Sequence, residues 1–458
     1  MHVVRIARLL LCAVVASPAA GQSPSASSAR LDSTLRALEA KGFSGAVRVD
    51  RDGVPLIEKG YGVANRTAHI RFTPQTIVQI GSNTKDFTLV SLLQLSERSR
   101  VNINDSLSKY FPTAPADKRN ITLWQLATHR AGFPLALGRD VDPLTRDQFI
   151  AAAMHHPLSF PPGTRESYSN TGYSLLAAVI EQASGTTYDE YVGHNILAPL
   201  GLTHTGLLLP HFDVRQLAHG YADDGDRGTM LDRPHAADGP YWNLRGNGGM
   251  LSTLDDMHAF YGALFGTAKL LKPATRRLSF DPDAPVALAG SDRVSSFLYE
   301  RLPMLHVELI VASNDSRWPA QRVRQAIREV LGLPSTDGGP PLASGPTTPA
   351  RPPSPPIAAM VTEFIGAINT ADSATVRAFV AAHFTSSAGA PTLDERVKRL
   401  VAIHGNLGTL TIVSLDQADP GVVTLSITAA SGDPATMKVR LNGSDPSKID
   451  GIQMVVGG

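Results

Sequence analysis

A serine and a lysine three positions apart can carry out acyl transfer when they share a helix. Gly81-Ser82-Asn83-Thr84-Lys85 has that spacing, which puts both side chains on one helix face. A serine hydroxyl is a poor nucleophile until a base takes its proton, and a lysine moved out of water gives up its own proton readily enough to be that base. The pattern occurs twice, because Ser106-Leu107-Ser108-Lys109 also fits. Context separates the two copies. Ser82 follows a β-like run at 76–80 and precedes Phe87, Leu89, Val90, Leu92, Leu93 and Leu95. A helix apolar nearly all round belongs in the middle of a domain. Ser82 at its N-terminus would meet free backbone N–H groups and the favourable end of the helix dipole. Ser106 is followed within six residues by Pro112, with no apolar helix behind it, and is expected to cap a surface turn.

Such a pair needs elements to position it. Leu31, Leu35 and Leu38 predict a helix over 29–41. Strands at 46–49 and 56–61 flank Asp52-Gly53, a hairpin signal. Helices follow at 121–128 and 147–156, then a second buried helix after Tyr168-Ser169-Asn170 that stops at Gly185. Residues 207–244 are loop-rich, and Gly246-Asn247-Gly248-Gly249 leads into a helix with Asp255 and Asp256 in its first turn. Strands at 296–300 and 307–311 turn around Pro303, and a helix covers 319–332. Helices between an early and a late strand pair predict an α+β fold. One antiparallel sheet is built from both ends of the domain, with a helical insert between them. Ser82 then lies at the junction of sheet and insert, where clefts form.

The chain of 458 residues is long enough for more than one domain. Residues 1–22 are expected to be a signal peptide, with Arg5 and Arg8 ahead of an apolar run at 9–16 and small residues at 17–21. The larger domain, which holds Ser82, is assigned to 28–333, and 334–356 forms a proline-rich linker. Residues 357–458 form a small α+β domain of unassigned role, with helices at 357–370, 373–383 and 393–404 and strands at 408–415, 420–428, 435–442 and 449–456. A net charge of +1 supplies no field for nucleic acid. The histidines make no zinc pattern, and no metal or other cofactor is expected. Cys12 is the only cysteine and would leave with the signal, so the mature chain is expected to have no disulfide and no membrane span, and to be periplasmic or secreted.

Several strings together carry a family resemblance: Phe43-Ser44-Gly45, Gly60-Tyr61-Gly62, 81–88, Ile121-Thr122-Leu123-Trp124-Gln125-Leu126-Ala127-Thr128-His129, and 162–173 around Tyr168-Ser169-Asn170. They resemble the class C β-lactamase-like serine hydrolases of the penicillin-binding-protein superfamily, over about residues 30–332. The resemblance implies that Ser82 is acylated, that Lys85 and Tyr168 share the work of the base, and that Asn170 orients Lys85 and binds the substrate amide. It implies that the Ser82 N–H forms half of an oxyanion hole. Taken singly, Tyr168 also reads as a packing residue and Asn170 as a cap. Tyr241-Trp242-Asn243 repeats the Tyr-x-Asn pattern in a loop, where the two aromatics line the cleft or pack. His129 is read as structural.

The third family motif departs from the pattern. Relatives carry Lys or His, then Ser or Thr, then Gly, just before the late hairpin. Here that place holds Ala287-Leu288-Ala289-Gly290-Ser291-Asp292-Arg293. His204-Thr205-Gly206 matches the letters in a loop and is read as a surface turn. Gly290 or Ser291 is expected to supply the second oxyanion N–H, and Arg293 to replace the missing cation in part. The edge strand here is expected to be reduced or missing. The resemblance then implies an esterase or peptidase on an ester- or amide-bearing small molecule or peptide, with weak or no β-lactamase activity. The alternative is a penicillin-binding-like ligand binder or sensor that has lost turnover.

Overall fold

The computed structural model describes residues 24–207, 213–222, 225–292, 294–333, 353–385, 392–419, 421–428, 430, 434–442 and 445–456. The expected signal segment, most of the linker and Arg293 lie outside these residues. The N-terminal helix α1 (Pro24–Ala40) leads into strands β1 (Gly45–Arg51) and β2 (Val54–Tyr61). Their connection has positive φ at both central residues, 54° at Asp52 and 73° at Gly53, the geometry that matches the twist of a tight hairpin.

The insert carries α2 (Thr84–Glu97) and α3 (Asn170–Ser184), followed by α4 (Leu254–Gly266). The chain then returns as β3 (Val286–Ser291), β4 (Ser296–Leu302) and β5 (Val307–Ser313), and α5 (Ala320–Leu331) closes the unit. The strands form one antiparallel sheet in the order β2-β1-β5-β4-β3. Val47 stands opposite Val311 in its centre. The first and last strands of the unit are therefore neighbours, as the two strand pairs predicted. The edge strand expected to be reduced or missing is formed: β3 runs six residues and pairs with β4 from Val286 to Ser291.

Strand periodicity sorts the side chains. Val47, Val49, Leu309 and Val311 face α1 and α5, where Leu31, Leu35, Val323 and Ile327 are buried against them. Ala46, Phe297, Tyr299 and Ile310 face the other way, into the large cluster built on the helical insert. Phe87, Val90, Leu92 and Leu93 of α2 are all fully buried. Burial of each such large apolar side chain contributes about 1.5–3 kcal/mol, so α2 is held by packing all round. Among the described residues no helix is long and apolar enough to cross a membrane.

A separate cluster of buried residues runs from Met360 to Ile449. Helices α6 (Pro355–Asn369), α7 (Ser373–His383) and α8 (Leu393–Leu407) precede a meander of β6 (Thr411–Asp419), β7 (Val422–Thr428), β8 (Pro434–Leu441) and β9 (Ile449–Val456). Val423, Leu425 and Ile427 alternate inward along β7 onto the helices. Phe364 and Phe379 stack at 5.3 Å in the centre of that contact.

Candidate active site

Ser82 sits in a single 3₁₀ turn, Gly81–Asn83, that runs straight into α2. Gly81 has φ of 51°, and a Cβ there would fall 2.4 Å from the Ser291 nitrogen. Only glycine allows β3 to come this close. Lys85 is 5% exposed. Its Nζ lies 3.1 Å from Ser82 Oγ and 2.7 Å from the carbonyl oxygen of Asn247. Tyr168 arrives from the other side, just ahead of α3, and its hydroxyl donates to Ser82 Oγ at 2.7 Å. Residues 86 positions apart thus meet on one oxygen.

Burial tunes both partners in opposite directions. Removal from water disfavours the ammonium and pushes Lys85 down to about 7, against weaker attraction from Asp86 and Asp140. The same cause pushes the Tyr168 phenol up to about 12, against its bond with Ser82. Near neutrality, then, the lysine is partly deprotonated and the phenol keeps its proton. The His129 ring lies tilted against Tyr168 at 4.5 Å and against Tyr173 at 5.2 Å between centroids. Burial, then the Lys85 charge, lower its pKa to about 4. Neutral, it accepts a bond from the Ser169 N–H through Nδ1 at 3.1 Å. His129 therefore supports the Tyr168 ring directly.

Gly290 and Ser291 are both brought to Ser82. A Cβ on Gly290 would fall 2.0 Å from the Ile80 oxygen and 2.6 Å from the Ser82 nitrogen. The N–H of Asp292 donates to Ser295 across the hairpin. Successive N–H groups of an edge strand alternate in direction, so that of Ser291 faces out of the sheet, toward Gly81. Gly290 supplies the room and Ser291 is placed to supply the N–H. Leu288, on the same face as Gly290, is half-buried against the large apolar cluster.

Two expectations are corrected. Asn170 makes no hydrogen bond to Lys85: its Oδ1 is buried without a partner. The lysine's second contact is the Asn247 carbonyl, a group the sequence reading did not single out. The Asn247 amide donates to Ser174 Oγ and to the Asn243 carbonyl, both at 2.8 Å, which fixes that loop. The glycines around Asn247 were the only available signal. Gly246 has φ of 79°, and its Cβ would strike Ala177 of α3 at 2.5 Å. The second correction concerns His204-Thr205-Gly206, which is not a surface turn. Thr205 is buried, bonded to Ser252 Oγ and Asp256 Oδ2 at 2.8 Å each. Trp242 packs in the core, 7% exposed. Among the described residues, no group of three His, Cys, Asp or Glu side chains is placed to hold a metal ion.

The Beta-lactamase family profile matches residues 31–293, and the chain belongs to that family of serine hydrolases. It is 30% identical over 241 residues to the putative penicillin-binding protein PbpX of Bacillus subtilis, covering 53% of this chain and 59% of that protein. It is 28% identical over 188 residues to the protein flp of Staphylococcus aureus, covering 39% and 38%. The matched stretch thus spans less than two thirds of either relative. FmtA from Staphylococcus aureus superposes with a TM-score of 0.57 at 26% identity, over 66% of this chain and 89% of that one. The hydrolase EstCE1 shares the fold at a TM-score of 0.56 and 21% identity, over 67% and 98%.

Proposed function

We propose that the protein is an exported serine hydrolase that passes an acyl group from an ester or amide through Ser82 to water. The meeting of Lys85 and Tyr168 on Ser82 Oγ carries this reading. Neutral Lys85 takes the Ser82 proton as Oγ attacks the carbonyl carbon. The N–H groups of Ser82 and Ser291 hold the oxygen that becomes negative, in general a large contribution to the rate. As the carbonyl re-forms, Tyr168 gives its proton to the leaving oxygen or nitrogen and recovers one from Lys85. Water then repeats the sequence on the acyl-enzyme, releasing the acid and restoring Ser82. The partnerless Asn170 Oδ1 would accept a bond from a substrate amide.

Leu288, two residues before Gly290 on the same face of β3, carries no charge, which supports an ester or small amide without a carboxylate requirement and argues against efficient β-lactam turnover. Export rests on the N-terminal sequence alone. The test compares the native chain with Ser82→Ala on a chromogenic short-chain ester and a fluorescent β-lactam. Ester turnover lost in the variant is the expected result. Slow covalent labelling without turnover would instead fit the alternative, a penicillin-binding-like ligand binder or sensor. Turnover surviving in Ser82→Ala would overturn the site.

A further inference from the structure

Two residues beside the Ser82–Lys85 pair, Asn83 within the segment and Asp86 directly after it, have no part in that chemistry. Both side chains meet one buried phenol. Asn83 Nδ2 donates to the Tyr261 hydroxyl at 2.7 Å, and that hydroxyl donates to Asp86 Oδ2 at 2.8 Å. The proton order is thereby set as amide to phenol to carboxylate, the only one these groups allow when Asp86 is ionised. A phenol that donates to a carboxylate is also polarised to accept more strongly from the amide.

Tyr261 itself has little freedom. It is fully buried, stacks on Tyr299 of β4 at 4.0 Å, and meets Phe260 edge-on at 5.2 Å. Phe260 in turn stacks on Phe87 of α2 at 4.0 Å. The far end of the chain reaches the reaction site. Asn83 Oδ1 lies 2.7 Å from the place of a Gly290 Cβ, which is also 2.6 Å from the Ser82 nitrogen. The Asn83 side chain therefore fills the space directly behind the turn that carries the nucleophile and behind the strand that carries its oxyanion partner.

We propose that Asp86 is a positioning residue that acts through Tyr261 and Asn83 to hold the Ser82 turn against Gly290 and Ser291, and that its charge helps set when Lys85 releases its proton. The proposal deepens the hydrolase reading and rests on it. On its own helix Asp86 faces Lys85 and Asn83; Tyr261 faces it from α4, with Tyr299 of β4 behind that ring, and Tyr168 and Tyr173 feel its charge from the α3 side. Lys85 is faced by Ser82, Tyr168, Tyr173, His129 and the Asn247 carbonyl, and its two attracting anions are Asp86 and Asp140. Burial pushes the Asp86 carboxyl up to about 7 against its bond with Tyr261, so its charge is present above that pH; removing it there takes away one source of support for the ammonium, and Lys85 should lose its proton at lower pH.

The experiment uses the full chain and three readouts: kcat and KM on a chromogenic ester, the pH profile of kcat/KM, and the rate at which a fluorophosphonate labels Ser82. Asp86→Asn keeps an acceptor oxygen but no charge, and should lower kcat about tenfold with KM nearly unchanged, while its acid limb moves to lower pH. Tyr261→Phe keeps the stacked ring and the charge; it should lower kcat and labelling about as much without moving the acid limb to lower pH. A change of melting temperature alone, with native kcat, labelling rate and pH profile in both variants, would overturn the proposal. If Asp86→Asn fails to fold, Tyr261→Phe still decides on kcat and labelling. A native chain that labels at Ser82 yet turns over no ester would sink the hydrolase reading, and the labelling rates of the variants would still judge the positioning role.

Discussion

The two Ser-x-x-Lys segments share spacing and residue types but not chemistry, and their surroundings account for the difference. At 106–109, Ser106 precedes the four-residue helix Leu107–Tyr110 and shares a 3.0 Å hydroxyl contact with Ser108. Lys109 is 54% exposed and ion-paired with Asp105 at 2.7 Å. Its side chain is half in water and lacks the enclosure that Lys85 has. Lys85 is enclosed by α2, two aromatic rings and a carbonyl. The spacing brings a serine and a lysine together, but desolvation leaves the lysine partly neutral near pH 7 so that it can accept a proton, and a third element delivers the tyrosine.

The largest effect that would break this comparison is at the nucleophiles. Ser82→Ala should cost on the order of a thousandfold or more in ester kcat/KM, while Ser106→Ala should leave it unchanged; a reversed pattern in steady-state assays would reject the assignment. The lysines come next. Lys85→Met should cost about a hundredfold or more, and Lys109→Met nothing measurable by the same assay. In the native chain, kcat/KM should rise with pH through about 7 as Lys85 becomes neutral. The same shift has a stability consequence of known sign. With a folded pKa of about 7 against 10.5, Lys85 binds fewer protons folded than unfolded between those values. Stability from this group therefore increases with pH across that window. Lys85→Met should accordingly be more stable than the native chain near pH 7, and denaturant melts should show that advantage shrinking toward pH 10.

Smaller effects sharpen the comparison. Gly290→Ala drives a methyl into the Ile80 carbonyl and should cost about 1–3 kcal/mol of stability along with much of the ester kcat. Gly262→Ala in α4 meets no atom within 4 Å and should stabilise by up to about 1 kcal/mol, read by thermal melting with native kcat. Smallest is the stability change of Ser106→Ala. Its side chain makes no capping bond, so a shift within about 0.5 kcal/mol is expected in denaturant melts.

Much of this organisation was legible before any coordinates. The Asp52-Gly53 turn, the strand runs at 46–49 and 307–311, and the unbroken apolar surface of α2 are local signals, and each came through with small shifts at the ends. Ser82 could be separated from Ser106 because burial of the following helix is written in its composition. Asn247 was not legible in this way. Its contribution is a backbone carbonyl, which every residue possesses, and its aim depends on a glycine loop packed against α3. The family resemblance was misleading about Asn170, because a motif preserves residue types while the contact with Lys85 depends on which acceptor arrives nearest. Thr205 was misread because its partners, Ser252 and Asp256, lie about fifty positions away.

The sequence by itself determined the periods, turns and caps, and with them the elements and the sheet closed from both ends of its domain. It also determined which serine begins a buried helix. Only the tertiary structure decided how those elements make a site. Two segments distant in sequence meet at Ser82 Oγ, and a third supplies the carbonyl that holds Lys85. Burial moves Lys85 and Tyr168 in opposite directions, and two glycines let an edge strand approach the nucleophile's own backbone. These are effects of distance and exclusion of water between remote residues, which local spacing does not encode.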